Sequence, residues 1–386
     1  MPKPSDKRAS AAVAAMPGAV YTPFDLATAT RPVIALHVGD TWMEPFAGAR
    51  MQDLYERDFP GLHRYVETRG IPPLIDAIVQ KVRERNRLAC ERANVLVTAG
   101  ATSGLSCAIS AIADPGEEVL LLAPFWPLIR GIARSLRATP VEVPFFDRVR
   151  SVADAIAALD AKHSSRTVAL YYSNPSNPSG RVLPPDWLEA IAAWARRRDL
   201  WLLSDEVYED YVYQGEHTSM ARFAPERTIS AFSFSKAYGM AGNRAGYLVG
   251  PATVIAEAHK VSVHSAYHAP TAAQLAGLRA LEGGAAWVAN ARAVYAKAGA
   301  ETAAALGLPA PEGGCFLFAN AAQRLDARGL HGFLEDCFAE GVVVAPGSSA
   351  GEAYASWIRL CFTVVPPEQA VEAARRLAQL LAARRT

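Results

Sequence analysis

The segment Ser233-Phe-Ser235-Lys236-Ala-Tyr-Gly-Met-Ala-Gly-Asn-Arg244-Ala-Gly246 sets one lysine among hydroxyl and small residues, directly after an apolar run. A lysine so placed suits Schiff-base chemistry, because a buried and partly cationic setting shifts its amine toward the neutral, nucleophilic form. Ser233, Ser235 and Arg244 would neutralise a phosphate beside it, a guanidinium being able to grip phosphate oxygens through paired hydrogen bonds. Four earlier segments carry groups that suit the same kind of ligand. Thr98-Ala-Gly-Ala-Thr102-Ser103 leads through small residues into a helical stretch, whose free backbone N–H groups can hold an anion, although Gly100 serves equally as a turn glycine. Pro124-Phe125-Trp126-Pro127 brings a large aromatic to a strand end, with core filling as the alternative. Tyr172-Ser-Asn174-Pro-Ser-Asn177-Pro-Ser-Gly180 holds asparagines in a fixed turn, as ordinary loop chemistry also would. In Ser204-Asp205-Glu206-Val207-Tyr208 an acid follows the apolar run Trp201-Leu-Leu203, with Tyr208 expected one helical turn beyond; the acid could instead cap a helix.

These segments need a scaffold that gathers distant stretches of chain. From about residue 70 to 280, strand-length apolar runs alternate with alanine-rich helical stretches, the rhythm of an α/β fold with a parallel sheet covered by helices. Strands are expected at Val95–Thr98, Glu118–Leu122, Val168–Tyr172, Leu200–Leu203, Thr228–Phe232 and Ala245–Val249. Helices are expected at Ser106–Ile112, Ile129–Ser135 and Trp187–Arg197. Ligands bind beyond the carboxyl ends of such strands, which is where the five segments fall. After about residue 285, long helices at Ala286–Leu306 and Pro367–Ala383 surround short strands at Cys315–Ala319 and Ile358–Phe362, predicting a smaller α+β domain. Residues 1–45 are too few to fold alone and are expected to pack with that domain, leaving 46–284 as the large domain and 285–386 as the small one.

The composition sets limits on function. The chain has 386 residues, 51% hydrophobic and 20% charged, and its 39 basic residues balance 38 acidic ones, which argues against disorder and against a nucleic-acid partner. The longest basic run, Arg196 to Arg198, reads as a solvated helix end. The five cysteines, Cys90, Cys107, Cys315, Cys337 and Cys361, form no CxxC pair, so neither a disulfide framework nor a zinc site is expected. His264 and His268 have the spacing of a metal pair but lack a third ligand nearby, and no metal is expected. Lys3, Lys7 and Arg8 precede an alanine-rich stretch broken by Pro17 and Gly18, too weak for a signal peptide; with no membrane-length apolar run, a cytoplasmic location is expected.

In the order and spacing of Asn177, Asp205, Tyr208, Lys236, Arg244 and Arg359, the chain resembles the class I/II aminotransferases, fold type I enzymes that use pyridoxal 5′-phosphate. The resemblance covers nearly the whole chain. It implies that Lys236 forms an aldimine with the cofactor and then moves the proton at the substrate α-carbon, with pyridoxamine phosphate as the intermediate that carries the amino group from an L-amino acid to a 2-oxo acid. By the same resemblance Asp205 pairs with the ring nitrogen, Asn177 and Tyr208 hydrogen-bond the ring oxygen, and Trp126 stacks on the ring face. Ala101, Thr102, Ser233, Ser235 and Arg244 hold the phosphate, and Tyr65 reaches it across a homodimer interface. Arg359, in Trp357-Ile-Arg359-Leu-Cys-Phe362, grips the substrate carboxylate; Gly39, in Leu36-His-Val-Gly39-Asp40, brings backbone close to the substrate, and Asn177 also faces it.

Some residues depart from the family pattern. Ile75 stands where many relatives carry arginine, and His264, Tyr267 and His268 fill a segment that is often small near the partner's site. A β-lyase or cyclase of the same fold is the alternative activity, since these chemistries diverge only after loss of the α-proton. A ligand-sensing regulator is a third, disfavoured because both Lys236 and Arg359 are present. Tyr21, Phe24, Trp42 and Met43 lie in the stretch that can cover a substrate, which suggests an apolar or aromatic side chain. Cys315 and Cys361 are expected to be buried apolar packing.

Overall fold

The apolar runs fold as strands buried on both faces. In the computed structural model, which describes residues 10–14, 16, 18, 22–57 and 59–382, the strands in chain order begin with β1 (Ile34–Ala35), β2 (Val95–Thr98), β3 (Glu118–Ala123), β4 (Thr139–Pro144), β5 (Thr167–Ser173) and β6 (Trp201–Asp205). They continue with β7 (Thr228–Ser233), β8 (Gly246–Val249), β9 (Phe316–Asn320), β10 (Val342–Val343), β11 (Ala345–Pro346) and β12 (Trp357–Cys361). The helices are α1 (Ala11–Ala14), α2 (Pro72–Glu84), α3 (Gly100–Ile112), α4 (Pro127–Ser135), α5 (Val152–Asp160) and α6 (Pro185–Arg198). After them come α7 (Phe234–Ala237), α8 (Ala252–Ser265), α9 (Thr271–Gly283), α10 (Ala285–Ala305), α11 (Gly329–Ala339) and α12 (Pro367–Ala382).

Seven strands form one sheet in the order β2-β8-β7-β6-β5-β3-β4. Its β7-β6-β5-β3-β4 portion is parallel, whereas β8 runs antiparallel to both β2 and β7. Every residue of β3 is buried, as a parallel strand covered by helices on both faces requires. Leu120, Leu122, Leu170 and Leu202 pack with Trp187, Leu188 and Ile191 of α6 in one apolar cluster, and each such leucine contributes on the order of 2 kcal/mol by leaving water. Helix α6 starts on Pro185 and ends on Arg196, Arg197 and Arg198, which favour the negative end of the helix dipole, before Asp199 turns left-handed at φ 55°. The basic run is therefore a helix end, tied to Glu226 and Asp160 by Arg196 and Arg198.

The sequence misses the edge strand β4, whose Thr-Pro-Val-Glu-Val-Pro lacks a clean apolar run, and the helices α2, α5, α8 and α9. It also starts α3 six residues late, because Gly100 and the small residues after it have weak helix propensity on their own. A second, antiparallel sheet in the order β11-β12-β9 forms near the C-terminus, and β1 pairs in parallel with β10 through Ile34 and Val342. Leu36 shares an apolar cluster with Phe316, Leu317, Ile358 and Leu360. Tyr208, just past β6, packs in that same cluster, so the carboxyl edge of the large sheet meets the smaller sheet there. Among the described residues, no helix is long and apolar enough to cross a membrane.

Candidate active site

Ser233 ends β7 and caps the single turn α7, its hydroxyl accepting from the Ser235 N–H at 3.0 Å. That turn delivers Lys236 to the carboxyl edge of the sheet, and the Tyr211 hydroxyl fixes it by donating to the carbonyls of Lys236 (2.9 Å) and Ala237 (3.0 Å). Lys236 Nζ is half-buried and donates to the Gly39 carbonyl. A cavity of about 240 Å³ opens at this point. Gly39, Ala101, Thr102, Trp126, Asn177, Asp205, Tyr208, Ser233, Ser235, Lys236, Arg244 and Arg359 all line it.

Asp205 closes β6, one strand over, and is buried. Its Oδ2 accepts from the Tyr171 hydroxyl at 2.8 Å, while Oδ1 has no hydrogen-bond partner. Burial pushes the Asp205 carboxyl up to about 6, against the opposing pull of the Tyr171 hydroxyl and the Val207 amide. The chain beyond Asp205 forms a turn rather than the expected helix, and Tyr208 lines the cavity from that turn.

Asn177 bridges two sides of the cavity. Its Nδ2 lies 3.4 Å from the Tyr208 hydroxyl and its Oδ1 accepts from Arg359 Nη1 at 3.2 Å. Arg359 comes from β12, donates through Nη2 to the His37 carbonyl at 2.9 Å, and lies 4.6 Å over the Phe316 ring. Phe316 also meets Tyr208 edge-on, with ring centroids 5.9 Å apart.

At the other end, α3 opens at Gly100 with φ +79°, and a Cβ there would lie 2.5 Å from Arg244 Nη2. The missing side chain is what lets the guanidinium lie against the helix start, where Ala101 and Thr102 present N–H groups without intrahelical partners. Arg244 is itself left-handed at φ 59° and donates through Nη1 to the Ala241 carbonyl at 2.8 Å.

Together these features form a donor set that suits pyridoxal 5′-phosphate. The helix start with Arg244, Ser233 and Ser235 fits a phosphate, the amine of Lys236 fits an aldehyde, and the orphaned buried Oδ1 of Asp205 fits a protonated ring nitrogen.

Several sequence expectations fall elsewhere. Tyr65, expected at a partner's site rather than in its own chain's cavity, is 81% exposed and meets the rings of Tyr267 and His268. His264 is exposed and bonded to the Lys260 carbonyl. Ile75 is buried on α2 within the core beneath the sheet. Phe24 stacks on Phe338 of α11 at 4.9 Å, Met43 packs in the C-terminal cluster and Trp42 is half-exposed, none of them on the cavity wall; Tyr21 lies outside the described residues. Cys315 and Cys361 are buried, and burial raises the Cys315 thiol to about 12. Sequence reasoning missed Tyr171, Val38, Leu128 and Phe316. Only strand register exposes Tyr171, which lies beside Leu203, two residues from Asp205.

Glu206, Glu209 and His217 also cluster, behind Asp205. Glu209 binds Lys81 and Asn86, and Glu206 accepts from Ser219 and Ser230, so the cluster is a buried ion-pair network with its own cation.

A family model described as aminotransferase class I and II matches residues 31–377. The aspartate/prephenate aminotransferase of Thermus thermophilus is 36% identical over 298 residues, 75% of this chain and 76% of that protein. The aspartate aminotransferase of Pyrococcus horikoshii is 28% identical over 374 residues, 93% of each chain. Among solved structures, aspartate aminotransferase from Thermus thermophilus with maleate superposes at a TM-score of 0.84 and 30% identity, over 97% of this chain and 100% of that one.

Proposed function

The chain belongs to the class I and II aminotransferases, and from that premise we propose how its own residues move an amino group from an L-amino acid to a 2-oxo acid. The observation that carries the proposal is the convergence on one cavity of a lysine amine, a buried carboxylate with a free oxygen, and an arginine from the second sheet. Pyridoxal 5′-phosphate, when bound, supplies an electron sink for the charge left as the substrate α-proton departs.

Lys236 Nζ takes that proton and returns it, since it is the one amine on the cavity wall among the described residues. Asp205 would offer its free Oδ1 to the ring nitrogen and favour its protonated form, and the Tyr171 hydroxyl holds the carboxyl through Oδ2. Asn177 and Tyr208 would hydrogen-bond the ring oxygen, and Trp126 would stack on the ring. Arg244, Ser233, Ser235 and the N–H groups of Ala101 and Thr102 hold the phosphate. Arg359, steadied by Asn177 and the His37 carbonyl, pairs with the substrate α-carboxylate, and Gly39 lets the backbone approach. The working unit is a homodimer in which the exposed Tyr65 contributes to the partner's phosphate site.

A single-turnover experiment tests this. Holoenzyme given one L-amino acid and no oxo acid should release the matching oxo acid in an amount equal to the enzyme, without free ammonia. Continuous release of ammonia with an oxo acid would establish elimination instead.

A further inference from the structure

Resting on the assignment of Lys236 and Arg359 above, we propose that the amino acid handled here carries a neutral, apolar side chain, received by Val38, Leu128 and Phe316. The argument starts from the backbone of residues 37–39. The His37 carbonyl holds Arg359 Nη2 at 2.9 Å, and the Gly39 carbonyl holds Lys236 Nζ. Val38 is the residue between these two contacts. A substrate whose carboxylate meets Arg359 and whose α-proton faces Lys236 has its α-carbon between them, so the substituent on that carbon lies beside Val38.

The surroundings of that point are apolar. Val38 lines the cavity yet keeps 41% of its surface exposed, apolar area that faces the open space of the site. Phe316 lies against the adjacent Gly39, where a Cβ would come 2.6 Å from its Cζ, and lines the same cavity. Leu128, in the first turn of α4 just after Trp126, adds a further apolar contact. The cationic side chains on the cavity wall, among the described residues, are Lys236, Arg244 and Arg359. Arg244 lies against the start of α3, Lys236 serves the α-proton and Arg359 the α-carboxylate. On the walls that this chain supplies, a second carboxylate on the substrate would be desolvated against Val38 and Phe316, which is costly, whereas an apolar substituent gains roughly fourfold in affinity per buried methylene. This sets the chain apart from the relatives whose names carry aspartate.

The experiment compares single-turnover rate constants of the holoenzyme for alanine, norvaline, leucine and phenylalanine with those for aspartate and glutamate. In parallel, calorimetry measures binding of the unreactive acids 4-methylpentanoate and succinate to the holoenzyme. The proposal expects leucine to exceed aspartate at least tenfold, norvaline to exceed alanine several-fold, and 4-methylpentanoate to bind more tightly than succinate. Val38 is exposed enough to accept lysine without disturbing the core, and Val38→Lys should move the aspartate-to-leucine ratio tenfold or more toward aspartate. Aspartate equal to or better than leucine, with succinate the tighter ligand, would overturn the proposal while leaving amino transfer intact. An unchanged ratio in Val38→Lys would overturn the placement of Val38. Failure of every amino acid to release an oxo acid would instead bring down the assignment of Lys236 and Arg359, and this inference with it.

Discussion

Asp205→Asn should stabilise the cofactor-free protein at neutral pH while abolishing its turnover. Asp205 sits at the end of a buried strand with one oxygen bonded to Tyr171 and the other without a partner, and burial moves its carboxyl from 3.8 to about 6. A rise of that size corresponds to about 3 kcal/mol. The sign follows from which state holds the proton. Below pH of about 4 the group is protonated in folded and unfolded chains alike and costs nothing; between about 4 and 6 the unfolded chain ionises first, so stability falls as pH rises through the folded value. Asparagine keeps the Tyr171 acceptor and carries no charge, so its stability lacks this slope. Chemical denaturation of stripped wild type and Asp205→Asn, at matched protein concentration, should therefore show a difference in unfolding free energy that shifts by about 3 kcal/mol in the variant's favour between pH 4 and pH 7. With cofactor bound, a cationic ring nitrogen opposite Oδ1 offsets the burial of the carboxylate, and the pH-dependent part of the difference should shrink toward zero. A difference that stays flat from pH 4 to pH 7 in the stripped protein would refute the claim that Asp205 is a strained, waiting partner.

Tyr171→Phe removes a hydroxyl that lowers the Asp205 carboxyl, so the acid limb of the pH–rate profile should move upward; an unmoved limb would mean the bond is incidental. Arg359→Lys should raise KM for the amino acid more than tenfold with a smaller effect on kcat, because an ammonium cannot form the paired contact of a guanidinium, while cofactor absorbance stays unchanged. Gly100→Ala places a methyl group 2.5 Å from Arg244 Nη2 at a φ of +79°, and equilibrium dialysis should show cofactor affinity falling at least tenfold, with inorganic phosphate binding falling in step. Lys81→Met leaves Glu209, whose side chain is 10% exposed, without the cation that binds it, and thermal or urea unfolding should show a loss of about 3 kcal/mol at pH 7.

The sequence made the chemistry more legible than the packing around it. Lys236, Asp205, Asn177 and Ser233 each sit within a few residues of a strand end, and strand ends are set by local apolar runs that stop where polar residues begin. A site built from strand ends in a parallel sheet is thus local information four times over, gathered by the sheet alone. Phe316 and Val38 resisted that route because each looks like an ordinary apolar residue. Phe316 becomes a wall of the site only through β9 lying antiparallel to β12, and Val38 only because the carbonyls of its neighbours His37 and Gly39 accept from Arg359 and Lys236, far along the chain. Tyr65 is a different case: its expected place is a partner's site, and a single chain shows it only as an exposed side chain, 81% of its surface open.

Asn177 joins the two sheets at the cavity. Its amide reaches Tyr208, which follows the large sheet's β6, and its carbonyl oxygen holds Arg359, which belongs to the second sheet. An asparagine can do both because its side chain offers donor and acceptor at one carbon, where aspartate offers only acceptors. Asn177→Asp would keep the Arg359 contact and strengthen its charge, yet it would place a second carboxylate near Asp205 and lose the donor toward Tyr208. A carboxylate there also competes with the substrate for Arg359. The expected result is weaker binding of carboxylate substrates together with a shifted absorbance of the bound cofactor, two effects from one residue. If binding weakens while the absorbance of the bound cofactor stays as in wild type, the Tyr208 side of the bridge has no part in the site, and Asn177 serves Arg359 alone.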